Sequence, residues 1–263
     1  MKIFCDIGNT YAKILLAGEK VKFKKISIDK VIKFLIKYKK FNIYISCVVK
    51  KIEKEIKRKF KKAHFLGYKD IKDFMKIRYR NLKQLGSDRI FSALACKEIF
   101  GKNTLVISCG TALVVDYIDR RNVYSGGVIF PGINILCKSL YDSTSKLPYL
   151  KLKNTSSVKV KNKNIVGRDT FECIYKGIVS FITSGIEYFL NVLKPQKIII
   201  TGGDAELVSS FLIKKKIRIS VVKELVLLGI ILWGIKKGVL KKEKVKDFIE
   251  NFYDNIDIIK IFL

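Results

Sequence analysis

The sequence predicts an α/β protein built from two related lobes. Two strand–turn–strand units carry this reading, with glycines at Gly8 and Gly110, about a hundred residues apart. Helix-like and strand-like segments alternate after each unit, and 49% hydrophobic residues in 263 are ample for a core. Only three prolines occur and no Pro-rich or Ser/Gly-rich linker interrupts the chain, so the lobes are expected to be closely joined.

In chain order, residues 2–5 and 11–17 read as a hairpin around Gly8, and residues 20–26 add a third strand. Residues 29–38 read as a helix capped by Asp29, 42–48 as a strand and 50–60 as a helix. A long helix is expected after Gly86, with Ile90, Phe91, Leu94 and Ala95 on its apolar face. The second unit opens with strands at 104–107 and 113–118 and another near Val123. Helical segments over 170–193, a strand at 197–201 and a helical block from Glu224 follow. Strand–turn–strand met twice argues for an ancient duplication, and no short-period repeat is present.

Composition excludes several classes. Asp6 interrupts the first apolar run, so the start does not read as a signal peptide. The longest apolar stretch, 225–235, has eleven residues against the ~20 that span a bilayer; a buried helix and no membrane partner are expected. Cys5, Cys47, Cys96, Cys109, Cys137 and Cys173 are scattered, with no CxxC pair. They are expected to be reduced and buried, in an intracellular protein. His64 is the single histidine, which excludes a histidine-rich metal site. Net charge is +30, but lysine is spread over almost the whole chain. The densest run, residues 50–62, holds eight basic residues in thirteen, with Ile52, Ile56 and Phe60 recurring every four positions. This is an amphipathic helix with a solvated basic face, and no specific nucleic-acid partner is expected.

The two glycine turns are the chemical signal. Each lets backbone approach a phosphate, with hydroxyl and amide groups beside it. Two such turns point to two lobes facing one nucleotide. At the first, Asp6 could hold Mg²⁺ beside phosphates, while the plain alternative is a hairpin with a surface aspartate. The residues around Asp88 read by themselves as an ordinary N-terminal helix acid paired with Arg89.

Several ordered motifs resemble those of the type III pantothenate kinases, in the acetate and sugar kinase/Hsp70/actin superfamily. They are Asp6-Ile7-Gly8-Asn9-Thr10; Tyr79-Arg80-Asn81 with Gly86-Ser87-Asp88-Arg89; and Gly110-Thr111-Ala112 with Asp116. Gly126-Gly127 through Gly132, Leu147-Pro148, Gly167-Arg168-Asp169-Thr170 and Thr201-Gly202-Gly203-Asp204-Ala205 follow in order. The resemblance implies two duplicated actin-like (ribonuclease H-like) lobes with a nucleotide cleft between them. Residues 1–100 would carry the first phosphate motif and the catalytic segment, and residues 101–263 the second phosphate and adenosine motifs.

It implies ATP-dependent phosphorylation of pantothenate, the entry step of coenzyme A synthesis, by a cytoplasmic homodimer. Asp88 would be the catalytic base. ATP would meet Asp6, Ile7, Gly8, Asn9, Thr10, Tyr11, Ala12, Lys13, Gly110 and Thr111, with Mg²⁺ at Asp6. Pantothenate would meet Tyr79, Gly86, Ser87, Asp88, Arg89 and Thr170, the last across the dimer interface. The family also uses a monovalent cation, K⁺ or NH₄⁺, beside an aspartate two positions before the second glycine, where this chain has Ser108. Leu113 and Val114 replace the threonines that usually follow, and Leu82 a proline. A catalytically decayed nucleotide-binding regulator on the same fold, and a kinase for another small alcohol, are the competing readings.

Overall fold

The computed structural model describes residues 1–152, 165–212, 219–254 and 256–262. They form two compact units: residues 1–103, 117–126 and 222–263 in the first, residues 104–116 and 127–221 in the second.

The first unit is built on β1 (Lys2–Ile7), β2 (Tyr11–Ala17), β3 (Val21–Ser27), β4 (Asn42–Cys47) and β5 (Ala63–Phe65), in the order β3-β2-β1-β4-β5. β1 runs antiparallel to β2 and parallel to β4. Alternate residues of a strand face opposite sides, and register partners share a side. Ile3, Cys5 and Ile7 therefore join Ile14, Ile43 and Ile45 in an apolar cluster with α1 (Val31–Ile36) and α2 (Lys50–Lys59). The basic run thus forms a helix that buries Ile56 and shows its lysines to solvent. After α3 (Tyr68–Ile71), α4 (Ser87–Ile99) buries eight consecutive residues, Arg89 to Cys96.

The second sheet comprises β6 (Thr104–Cys109), β7 (Ala112–Ile118), β8 (Tyr124–Pro131), β9 (Lys197–Thr201) and β10 (Ile219–Val221). Its order, β10-β9-β6-β7-β8, is the first sheet's order with β6 in the place of β1. β6 pairs in parallel with β9, and β9 with β10, as β1 does with β4 and β4 with β5. The expected duplication is thus visible in strand order and direction. α5 (Ile133–Asp142), α6 (Thr170–Leu193) and α7 (Ala205–Leu212) complete this unit.

The closing helices α8 (Leu225–Lys236), α9 (Glu243–Phe252) and α10 (Ile256–Phe262) cluster with the first unit. α8 is the expected buried apolar helix; it lies on β1 and α4. No helix among the described residues is long and apolar enough to cross a membrane. Phe4 stacks on Tyr44 with centroids 5.3 Å apart, and Tyr44 meets Trp233 of α8 at 5.5 Å.

Two local expectations are corrected. Asp29 does not cap a helix: it lies in a 3₁₀ turn, where its carboxylate accepts from the Ser27 hydroxyl, and α1 begins two residues later without a side-chain cap. The thiols are all free but not all buried, since Cys173 is exposed and Cys47 half-buried.

The α4–α8 crossing depends on Gly229, where a Cβ would stand 2.7 Å from the Phe91 carbonyl carbon. Backbone cannot retreat as a side chain can. Gly229→Ala is expected to lose about 1–3 kcal/mol by overpacking, lowering Tm by about 3–10 °C. An unchanged calorimetric melt would contradict this packing.

Candidate active site

On the face of the first sheet covered by α8, successive rows change character. The row through Phe4 contains Phe23, Leu15, Tyr44 and His64. The next row contains Lys25, Lys13, Asp6 and Ser46, in that order across the sheet. The apolar cover of α8 begins at Leu225, and its N-cap residue Glu224 reaches the charged row. The N-terminus of α4 arrives there too, because the hydroxyls of Ser46 and Ser87 lie 2.8 Å apart. That contact seats Asp88, the next residue, beside the Asp6 row.

Asp6 is 3% exposed, so the surface-aspartate reading fails. Lys13, its direct register partner, donates to it at 2.8 Å. Lys13 also lies 3.7 Å from Glu224, which Lys25 meets at 3.3 Å. Burial pushes the Asp6 carboxyl above its ordinary range; Lys13 pulls it back, and the negative charges of Asp88 and Glu224 add to the rise. Burial alone would push the Lys13 ammonium down, but Asp6 and Glu224 together outweigh it and hold it above its usual value. Both partners move upward, which a simple ion pair would not give: burial governs Asp6 and charge governs Lys13. We take the directly opposed 2.8 Å geometry as the mark of a charged pair.

The turn after Asp6 is closed by the Gly8 amide donating to Tyr11 at 3.1 Å. Asn9, Thr10 and Tyr11 are exposed, as a phosphate loop requires. Ile7 and Ala12, expected beside the nucleotide, send their side chains into the opposite apolar cluster and could offer only backbone.

Asp88 accepts from the Arg89 amide at 2.8 Å in the first turn of α4. A Cβ on Gly86 would lie 2.5 Å from the Asp88 carboxylate oxygen, so glycine leaves the carboxylate its place. Arg89 is largely buried, with its guanidinium 5.8 Å from the Tyr79 ring centroid. The Tyr79 segment is itself held to the start of β8 by the Arg78 amide donating to Tyr124 at 2.8 Å. The first unit thus gathers Asp6, Lys13, Ser87, Asp88, Arg89 and Tyr79.

In the second unit, Ser108 lies in register with Thr201, so hydroxyls stand where Asp6 and Ser46 stand in the first sheet. The Gly110 amide donates to Ala112 at 3.1 Å, a tighter turn than that at Gly8, with Thr111 exposed. Gly202 has φ +101°, and a Cβ there would reach within 2.7 Å of the Cys109 carbonyl carbon. The Asp204 amide donates to that carbonyl at 3.1 Å, packing the Thr201–Ala205 motif against the turn. Thr170 opens α6 on an apolar groove of about 430 Å³ lined with Leu140, Cys173, Ile174 and Phe181.

Residues 2–191 match the family model described as type III pantothenate kinase. This chain belongs to the type III pantothenate kinase family. A protein named type III pantothenate kinase from Sulfurihydrogenibium sp. (strain YO3AOP1) is 32% identical over 238 residues, covering 81% of this chain and 92% of that protein. Another of that name, from Thermosipho africanus, is 30% identical over 239 residues, 81% of this chain and 91% of its own. Among solved structures, one described as a Baf family transcriptional activator from Campylobacter jejuni matches with TM-score 0.62 and 21% identity, over 90% of this chain and 100% of that one. Component A of (R)-2-hydroxyglutaryl-CoA dehydratase from Acidaminococcus fermentans matches with TM-score 0.53 and 12% identity, over 91% and 99%. Such identities speak for fold alone, the two-lobed actin-like α/β architecture of the family.

Ser46, Lys25 and Glu224 were not singled out in the sequence. Their only signal is register: each is placed by a strand or helix end far from the motif it joins. The thiols give a pH-dependent prediction. Burial pushes Cys47 up to about 11 and raises Cys5 and Cys109 further. Their thiolates are therefore scarce at neutral pH and appear only as pH rises toward those values. Alkylation followed by mass spectrometry is expected to modify exposed Cys173 first at pH 7.5, with Cys47 following as pH approaches 10. Labelling of Cys5 or Cys109 before Cys173 would contradict the arrangement.

Proposed function

We propose that the chain phosphorylates pantothenate from ATP, and that the charged row leading to Asp88 carries the chemistry. The supporting observation is the sequence Lys13–Asp6–Ser46–Ser87, which seats Asp88 beside Asp6 through one strand register and one hydroxyl pair.

The residues fit a Mg²⁺–nucleotide. Mg²⁺ is commonly held by one or two carboxylates plus substrate phosphates rather than by a protein cage. Asp6 offers such a carboxylate, and among the described residues no three His, Cys, Asp or Glu side chains form a cage. When bound, the ion would neutralise charge on the transferring phosphoryl group. Gly8 would leave room for a phosphate to approach the backbone, and the Asn9 amide and the Thr10 hydroxyl would donate to its oxygens, with Lys13 supplying positive charge. Gly110 and Thr111 would also contact ATP.

Asp88 would accept the hydrogen bond of the pantothenate primary hydroxyl, orient it, and take its proton as that oxygen bonds to the γ-phosphorus and the bond from that phosphorus to the β,γ-bridging oxygen breaks, releasing ADP. Arg89, steadied over Tyr79, would pair with the pantothenate carboxylate. Thr170 would donate from the partner subunit of a homodimer. Exposed apolar residues Phe181, Tyr188 and Val192 of α6, with Ile129 of β8, support that assembly. A monomeric mass in analytical ultracentrifugation would contradict it. A monovalent cation would meet the Ser108 hydroxyl without a carboxylate's charge, so we expect only a weak preference for K⁺ over Na⁺.

Ser108 is also what favours the second reading, a nucleotide-binding regulator without turnover. Asp88→Asn separates the two. Pantothenate-dependent ADP release is expected to fall by about 10²–10⁴-fold in kcat, with Tm and ATP affinity retained. Equal turnover in both proteins would remove Asp88 from the mechanism, and ATP binding without turnover in either would favour the regulator.

A further inference from the structure

Glu224 belongs to no motif, yet it occupies a demanding position. It is the N-cap residue of α8 and has φ 49° and ψ 42°, left-handed backbone that a non-glycine residue adopts only when its surroundings hold it there. Its side chain is 13% exposed, and its two oxygens serve different lysines, Oε1 facing Lys25 at 3.3 Å and Oε2 facing Lys13 at 3.7 Å. Lys25 also lies 5.3 Å from the ring centroid of Tyr11, at the end of the phosphate turn. Behind Glu224, the Tyr253 hydroxyl is buried and raised by that burial and by the Glu224 charge.

Lys13 therefore lies between two acceptors on one side of the sheet, against Asp6 at 2.8 Å and within reach of Glu224 at 3.7 Å. A buried carboxylate that accepts a divalent ion cannot keep an ammonium on the same oxygen, because the two cations repel. The ammonium then needs another anion nearby, already desolvated and held in place. Glu224 meets that need: Lys25 and the positive end of α8 hold its charge.

We propose that Glu224 is a positioning residue that takes Lys13 over from Asp6 when the divalent cation of the nucleotide engages Asp6. The inference rests on the reading that Asp6 serves a Mg²⁺–nucleotide. It assigns to this chain a charge hand-over: metal and lysine alternate on Asp6, and Glu224 keeps Lys13 beside the phosphate turn instead of releasing it to solvent.

The test is a crystal structure of the wild-type protein with Mg²⁺ and adenylyl imidodiphosphate, together with Mg²⁺ titrations of that analogue's binding to wild type, Glu224→Gln and Glu224→Asp. The expected structure has Lys13 Nζ within about 3.2 Å of Glu224 and out of hydrogen-bond reach of Asp6. In Glu224→Gln, Lys13 stays on Asp6, and the Mg²⁺ concentration for half-maximal binding rises about tenfold, the loss of one charged hydrogen bond. Glu224→Asp recovers most of that shift, while a merely structural role would lower Tm and leave the Mg²⁺ midpoint in place. Analogue bound with Mg²⁺ on Asp6 and Lys13 still against Asp6 would overturn the hand-over alone. Failure of the wild type to bind the analogue would overturn the nucleotide reading of Asp6 and the hand-over with it. Should Glu224→Gln fail to fold, the position of Lys13 in the wild-type complex decides.

Discussion

A carboxylate at the end of β1 that is 3% exposed has to be paired, and the cross-strand contact with Lys13 supplies the partner. Removing water from an isolated charge costs several kcal/mol, so Lys13 and Asp6 constrain one another's positions more than they stabilise the fold. The constraint reaches further. Antiparallel register places the pair face to face, parallel register brings Ser46 alongside, and the Ser46–Ser87 contact ties in the helix that begins with Asp88. One buried charge thus ties together three strands and two helix N-termini.

The same sheet order occurs twice, but the two copies carry different chemistry at equivalent points. Where β1 has Asp6 opposite Ser46, β6 has Ser108 opposite Thr201. The first is a charged site beside a wider turn; the second is a row of neutral hydroxyls beside a tighter one packed against the Thr201–Ala205 motif.

Much of this was legible in the sequence, for physical reasons that particular residues make clear. The runs around Ile3–Phe4 and Leu105–Val106 are strands because both faces are buried, and the apolar stretch at 225–235 is a helix because only a core can take it. Gly86 before Asp88 read correctly as a helix start. Local chemistry misled at Asp29, where a turn competes for the carboxylate. The strand near Val123 runs on to Pro131 despite Gly126 and Gly127, a continuation that composition alone argues against. Three-residue strands such as β5 leave no periodicity to read. Within the site, Asp6, Asp88 and Arg89 stood out because they sit in short motifs, whereas Ser46, Lys25 and Glu224 acquire meaning only through pairing between distant segments. No local pattern encodes that.

The most direct test of the account is ³¹P NMR of the purified protein with Mg²⁺–ATP and pantothenate, because it observes where the γ-phosphate goes. A new phosphomonoester resonance is expected, coupled to the protons of the pantothenate primary carbinol and growing in step with ADP. ATP that is bound but unconverted, or hydrolysed to inorganic phosphate at a rate indifferent to pantothenate, would contradict it.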